Sequence, residues 1–391
     1  MRVAMVTTHP IQYQVPWLRM LAKTAGIELH VYFAMIPDAA EQGREFGVAF
    51  DWDIPLLEGY EWTLLENRAK RPSLTEFRGC DTPQLYREIR EGSYDAVIVN
   101  GWVAKTCLQA LLASRLAGIP CIVRGEVNGL RPRASWKRWL HARLLARYGA
   151  CLAIGTNNRR YLLDGGVPAA RIFATPYCVE NERFSTAADA ARVQPGREAL
   201  QARFGLDPER TTFVFSGKFV EKKRPGDIIE AVRRMDPQQR DRVQLLLVGS
   251  GPLEEQMRTS AAGLPVHFAG FLNQSEIPAA YAVSDCMVLP SDHGETWGLV
   301  INEAMACGLP VIISDQVGSA VDLVHAGRTG EVFPCGDVAA LSALLARHGQ
   351  DRTGLVAMGA AAKTLVCADY NFEHVRQGVL AALMAVRGKS I

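Results

Sequence analysis

SDHGETWGLVINEAMACGLPVIISDQVGSAVDLV, residues 291–324, is the stretch on which the reading of the whole chain turns. It begins as a loop of small and polar residues and passes through Thr296-Trp297-Gly298 into Leu299–Cys307, whose apolar positions have helical spacing. Gly308 stops that helix and Pro310 bars its continuation. Val311-Ile312-Ile313 then reads as a short buried strand. Two carboxylates flank the helix start, Glu295 in the loop and Glu303 about one turn inside, with seven residues between them. A helix N-terminus offers N–H groups without intrahelical partners and the positive end of a dipole, which suits a phosphate. Acids on either side of Gly298 suit a ligand that is anionic and rich in hydroxyls. An ordinary strand–loop–helix crossover with solvated glutamates fits this one stretch equally well.

The context of that stretch is a chain of 391 residues, too long for one hydrophobic core, so two domains are expected. A formal net charge of +2 argues against a nucleic-acid binder driven by bulk charge. Nine cysteines without a C-x-x-C pair point to buried thiols in a reducing compartment, with no disulfide framework and no zinc site. No window approaches the roughly 18 apolar residues of a membrane span, and the N-terminal apolar run is too short for a signal peptide. The expected location is cytoplasmic, with any membrane contact peripheral, at the inner face.

Upstream, strands and helices alternate. Val3–Thr7 is a strand followed by Thr8-His9-Pro10-Ile11-Gln12-Tyr13, and no G-x-G-x-x-G follows it, which counts against a nicotinamide or flavin enzyme. Asp38–Arg78 is long and irregular, the kind of segment that is functional or covers a core. Strands at Asp95–Val99 and Pro120–Val123 end in Asn100-Gly101-Trp102 and Arg124-Gly125-Glu126. Ligands of open α/β sheets sit beyond the carboxyl ends of strands. His9, Gln12, Tyr13, Trp102, Arg124 and Glu126 are therefore candidates for one binding crevice, although Arg124 with Glu126 also fits a structural ion pair. Arg131–Tyr148 reads as a basic helix carrying Trp136 and Trp139. Such a helix suits an anionic membrane surface, and equally a domain helix with a solvated basic face. The Ala-rich segment Ser185–Arg197, with Pro195-Gly196, is the expected linker.

A second α/β series follows. Thr212–Gly217 is a strand running into Lys218-Phe219-Val220-Glu221-Lys222-Lys223-Arg224. Four cations in seven residues at a strand end suit a diphosphate. Gln244–Val248 ends in Gly249-Ser250-Gly251, which permits close backbone approach to a ligand. Val266–Phe268 precedes Gly270-Phe271-Leu272, and Cys286–Pro290 delivers the opening stretch. Glu373–Val386 is a closing amphipathic helix. The pattern predicts two α/β halves with a cleft between them. Residues 1–190 form the first domain, 191–370 the second, and 371–391 a helix returning to the first.

Four pieces in this order, G-K-F-V-E-K-K, L-L-V-G-S-G-P-L, F-A-G-F-L and S-D-H-G-E-T-W-G-L-V-I-N-E, carry a resemblance over about 170 residues. The chain resembles the GT-B glycosyltransferases of retaining family four, the glycosyl transferases group 1. The resemblance implies two Rossmann-like domains facing each other across a cleft. It also implies a nucleoside diphosphate sugar as donor, UDP- or GDP-linked, and no metal or other cofactor. Glu303 would hold the ribose hydroxyls and Glu295 the donor sugar. Lys218 and Lys223 would bind the diphosphate, with backbone N–H groups of Gly298, Leu299 and Val300. Phe271 and Leu272 would sit beside the base, and Gly217, Gly249, Thr296 and Trp297 complete the donor side. The acceptor is expected to be a glycan, a lipid-linked molecule or a small molecule, in bacterial surface glycan or other glycoconjugate synthesis; transfer of a hexosyl or N-acetylhexosaminyl group is expected. The first half departs from the family pattern. Thr7-Thr8-His9-Pro10 stands where many relatives carry a glycine pair, and Asn100-Gly101-Trp102 where many carry a histidine. These departures leave the acceptor open. A nucleotide-sugar epimerase would need further acid–base groups that the sequence does not offer. A non-catalytic sugar or lipid-carrier module would be expected to have lost the donor-side acids, and both are present.

Overall fold

The computed structural model describes residues 1–387, so the last four residues of the expected 371–391 segment lie outside the described residues. The chain forms two compact units. The first comprises Met1–Pro37, Pro55–Tyr177 and the chain from Phe372; the second comprises Asp38–Ile54 and Cys178–Asn371.

The first unit is built on a seven-stranded parallel sheet. Its strands are β1 (Arg2–Thr7), β2 (Glu28–Phe33), β3 (Glu61–Leu64), β4 (Ala96–Asn100), β5 (Cys121–Arg124), β6 (Ala150–Ala153) and β7 (Ile172–Ala174), in the order β3-β2-β1-β4-β5-β6-β7. The central strands are apolar up to their carboxyl ends, where Asn100 closes β4 and Arg124 closes β5, because helices cover both faces, as parallel sheets require. Val97, Val99, Val123 and Cys151 pack with Leu85, Ile89, Leu111 and Leu162 from the covering helices. The helix Phe372–Arg387 packs on β6 and β7 through Val375, Val379, Ala382, Leu383 and Val386. Strand β3 lies inside the segment expected to be irregular; only four residues long at the sheet edge, it has no interior run of apolar residues to betray it.

The second unit carries a six-stranded parallel sheet. Its strands are β8 (Thr211–Ser216), β9 (Val243–Val248), β10 (Val266–Gly270), β11 (Cys286–Leu289), β12 (Val311–Ser314) and β13 (Gly330–Phe333), ordered β10-β9-β8-β11-β12-β13. The chain winds outward from β8 to β10, then returns to place β11 on the other side of β8. That reversal makes the carboxyl ends of β8 and β11 the switch point of this sheet.

The expected linker is a correction. Ser185–Arg197 is not an extended connection: Asn181–Ala191 is a helix, residues 192–196 kink at Gln194, and Arg197–Phe204 is a further helix. Phe184 and Ala188 bury one face of the first of these. Alanine-rich sequence has high helix propensity, and Pro195-Gly196 marks only the break between two helices: Gln194 leaves helical backbone (φ −145°) and Gly196 takes φ +91° before the next helix begins. The chain passes from one unit to the other at Tyr177–Cys178, not near residue 190. All nine cysteines are free thiols, seven of them buried. Among the described residues, no helix is long and apolar enough to cross a membrane.

Candidate functional site

In the second unit the candidate residues gather at the switch point. After β8 the chain makes a tight turn at Glu221–Lys223, and Arg224 takes a left-handed conformation (φ +50°) before Pro225 opens a helix. This turn carries Lys223 back over the strand end, close enough to Gly217 that a Cβ there would lie 3.9 Å from the ammonium. The loop after β11 approaches from the other side. Its Asp292 N–H donates to the Lys222 carbonyl (2.9 Å), and the Glu295 N–H donates to the Asp292 carbonyl (2.9 Å). Lys223 Nζ donates to Glu295 Oε2, and both side chains are largely buried, at 13% and 14% exposure.

Gly298 caps the helix Leu299–Ala306 with φ +89°, and a Cβ there would stand 3.0 Å from Leu289 and 3.2 Å from Val317. Only glycine meets both demands, conformation and space. The first-turn N–H groups of this helix, those of Leu299 and Val300 included, have no intrahelical carbonyl to reach. Gly249 is constrained in the same way: φ is +134° and a Cβ would meet the Gly217 carbonyl oxygen at 1.9 Å. Its N–H donates to the Gly270 carbonyl (2.8 Å), while the Gly217 N–H donates to Val248 (3.0 Å), so three neighbouring strand ends are tied together.

The remaining candidates on this side divide. Glu303 is buried, and Tyr281, on the helix Ile277–Val283, donates its hydroxyl to Oε2 at 2.8 Å. Tyr281 was not among the expected residues; it is an aromatic inside an apolar run, so nothing local marks it as an aiming group. Thr296 is half-buried beside the Gly298 turn. Trp297 is a brace: its indole is 3% exposed and donates to Asn302 Oδ1 (2.8 Å), and its carbonyl accepts from the Ser319 N–H (3.2 Å). Of the four cations after β8, Arg224 bonds Asp227 Oδ2 (2.8 Å) instead of facing the site, and this bond raises its already high pKa. Lys218 is also held elsewhere. Its ammonium donates to Glu45 and stands 5.2 Å over the Phe46 ring, and the lysine holds the Glu45 carboxyl below the usual range. Phe271 and Leu272, half-buried after β10, follow; the Phe271 ring is packed by Phe46 (5.1 Å) and Phe50 (4.3 Å).

In the first unit the switch point lies between β1 and β4. Asn100 bridges it, donating to Gln14 Oε1 (2.7 Å) and Thr7 Oγ1 (3.3 Å). His9 sits on the turn after β1 with Nδ1 2.9 Å from Thr8 Oγ1, and burial pushes its pKa down to about 4, so the ring is neutral near pH 7. Gln12 and Tyr13, on the same turn, are half-buried. Arg124 and Trp102 depart from expectation. Arg124 is 2% exposed, with its guanidinium 4.4 Å over the Tyr177 ring and 5.4 Å from that of Trp17. The Tyr177 hydroxyl donates to Glu126, so Tyr177 stands between the two charges. Trp102 is 4% exposed, its ring lying against Gly125. Both side chains are buried at the strand ends and packed against aromatic or glycine neighbours. Their residue types at strand ends suggested binding, but the sequence carries no sign of the aromatic rings that enclose them.

The basic segment forms the helix Ser135–Leu145, with Trp136 and Trp139 about 60% exposed and Leu140 beside them. Lys137 lies 5.4 Å from the Trp136 ring and Arg143 5.0 Å from that of Trp139.

The chain matches two family models, glycosyl transferase 4-like domain over residues 17–178 and glycosyl transferases group 1 over residues 196–364. It is similar to the amylovoran biosynthesis glycosyltransferase AmsK of Erwinia amylovora, 31% identical over 253 residues, covering 62% of this chain and 58% of AmsK. It is also similar to the 2-deoxystreptamine glucosyltransferase of Streptomyces kanamyceticus, 29% identical over 71% of this chain and 74% of that protein. In other curated relatives the matched stretch spans 47% and 29% of their length, so the chain spans about half the length of several proteins it matches. The crystal structure of Anabaena HepE with UDP superposes with a TM-score of 0.72 over 98% of this chain and all of that one, at 18% identity, a likeness of fold. The two parallel-sheet units are those of a GT-B fold. The chain belongs to the group 1 glycosyl transferases, and its first half carries their 4-like domain.

Proposed function

We propose that the protein is a retaining glycosyltransferase that moves a sugar from a nucleoside diphosphate sugar to an acceptor hydroxyl. The observation that carries this reading is the Lys223–Glu295 pair at the switch point of the second sheet, beside the glycine-capped start of the helix Leu299–Ala306. A cation, a carboxylate and a row of N–H groups meet there, which is what a sugar diphosphate needs: charge for the phosphates and an acceptor for sugar hydroxyls. Lys223 and the N–H groups of Leu299 and Val300 meet the diphosphate, Glu295 the sugar, and Glu303, aimed by Tyr281, the ribose.

In the reaction the bond from the sugar's anomeric carbon to the diphosphate oxygen breaks, and a bond to the acceptor oxygen forms on the same face. The acceptor's proton passes to the departing diphosphate. Developing negative charge on the leaving group is met by preorganised donors, the largest single contribution in such sites. No resident metal belongs to this reading. On the first unit, His9, Gln12, Tyr13 and Glu126 are the acceptor-side residues, and the neutral His9 ring suits hydrogen bonding to a hydroxyl. Within residues 131–147 there are six arginines and lysines and no acid, and the exposed Trp136 and Trp139 suit an anionic membrane surface. That surface would bring the enzyme to a lipid-linked acceptor in surface glycan synthesis.

The test is incubation with UDP- and GDP-sugars in EDTA. Slow release of UDP or GDP is expected, with an axial or equatorial anomeric bond in the product matching that of the donor by NMR. Inversion at the anomeric carbon would overturn the retaining assignment, and no release from any donor would overturn the transferase reading.

A further inference from the structure

The segment Asp38–Ile54 comes from the first third of the sequence but belongs to the second unit, where it lies along the carboxyl ends of β8, β9 and β10. It is fastened at each of the three. After β8, Lys218 donates to Glu45. After β9, Ser250 Oγ donates to the Phe46 carbonyl (2.7 Å). After β10, Asn273 Nδ2 donates to the Asp51 carbonyl (2.8 Å), and the Ser275 N–H donates to Asp53 Oδ2 (3.1 Å). Between these points Phe46 packs edge-on to Phe271, and Phe50 lies over the same ring at 4.3 Å and 33°. Trp52 meets Phe50 edge-on, 4.9 Å between centroids and 83° between planes.

Two of these contacts stand out chemically. Glu45 brings a carboxylate to Lys218, the cation that opens the loop after the central strand. Phe50 brings a flat ring, tilted by 33°, onto half-buried Phe271 after the outer strand β10. An anion on a lysine and an aromatic ring on a phenylalanine, five residues apart on one segment, are the two groups that a nucleoside diphosphate itself presents: phosphate and base. Glu45 is half exposed and sits on a segment with only a five-residue helix, Ala39–Gly43, so it is held by contacts more than by its own fold.

We propose that Asp38–Ile54 is a strap that mimics the nucleotide, and that the donor's diphosphate and base displace Glu45 from Lys218 and Phe50 from Phe271. The proposal rests on the reading of this unit as a nucleoside diphosphate site. It makes donor affinity a competition: each contact the strap makes weakens nucleotide binding by the amount needed to break it. It also assigns Lys218 two partners in turn, Glu45 and a phosphate.

The experiment is calorimetric titration of UDP and of GDP into the full-length wild type, Glu45→Gln, Phe50→Ala and the double variant. Hydrogen exchange across residues 38–54 is measured in parallel, with and without nucleotide. A half-exposed ion pair and a tilted ring pair set the scale: about threefold tighter binding for Glu45→Gln and about fivefold for Phe50→Ala, near fifteenfold together. Nucleotide should speed exchange across residues 38–54 in the wild type. Unchanged or weaker binding in both variants, or slower exchange in that segment on binding, would overturn the strap, the latter two marking it as a wall of the pocket. Glu45→Gln is nearly isosteric and surface-exposed, so it keeps the test open if Phe50→Ala unfolds. A wild type that binds neither nucleotide overturns the donor-site reading itself, and the strap falls with it.

Discussion

Lys223 and Glu295 are bonded to each other across 72 residues of sequence, because β8 and β11 are neighbours in the sheet although β9 and β10 come between them in the chain. Both side chains are largely buried, so the cost of taking the charges out of water offsets much of their attraction, and the pair's position at the switch point is what makes it informative. Lys223→Ala is therefore expected to leave the fold intact by circular dichroism and to lower kcat by about 100- to 1,000-fold, the usual effect of removing one preorganised group that meets transition-state charge. Unchanged turnover would remove the diphosphate role.

Tyr281 touches Glu303 at 2.8 Å from within the core. Tyr281→Phe removes one hydrogen bond and no volume. We expect UDP or GDP to bind about fivefold more weakly, the effect of about 1 kcal/mol, with the unfolding midpoint little changed. A loss of stability without a loss of affinity would show that the hydroxyl serves the core alone.

Arg124, between Trp17 and Tyr177, is expected to matter for folding. Arg124→Ala empties a buried slot between two rings and should cost about 2–4 kcal/mol in urea unfolding. KM for the acceptor should stay within about twofold of the wild type. A large KM change in a fully stable variant would return Arg124 to the binding residues.

His9 gives the first unit a pH dependence. Its folded pKa of about 4 lies below the value of 6.5 for an unburied ring, so between these values the unfolded chain binds more protons. Stability attached to His9 is therefore full above pH 6.5 and is lost as pH falls towards 4. At pH 5 the loss is about 2 kcal/mol relative to pH 7.5. His9→Gln should flatten this part of the urea-midpoint profile; an unaltered profile would show that other groups set it.

The two sheets were legible in the sequence because every central strand is a short apolar run closed by glycine or a polar turn, and because the helix between Gly298 and Gly308 has glycine at both ends. What was not legible is contact at long range. Glu45 lies in a stretch without periodicity, and only the folded chain brings it to Lys218. Trp297 and Trp102 sit where ligand-facing aromatics are expected, yet both are enclosed by neighbours distant in sequence. Arg224 differs from Lys223 by one position, and a left-handed backbone turn sends it to Asp227 instead. Residue type and spacing brought the candidates to the strand ends; side-chain direction there depended on the turns.

The central claim is that the switch point of the second sheet holds a nucleoside diphosphate. Calorimetry with UDP and GDP on wild type and Lys223→Ala tests it most directly. At least one nucleotide should bind the wild type with a single site and bind Lys223→Ala at least about tenfold more weakly, a difference of about 1.4 kcal/mol. Equal affinity for the two proteins, or no binding of either nucleotide to the wild type, would contradict it.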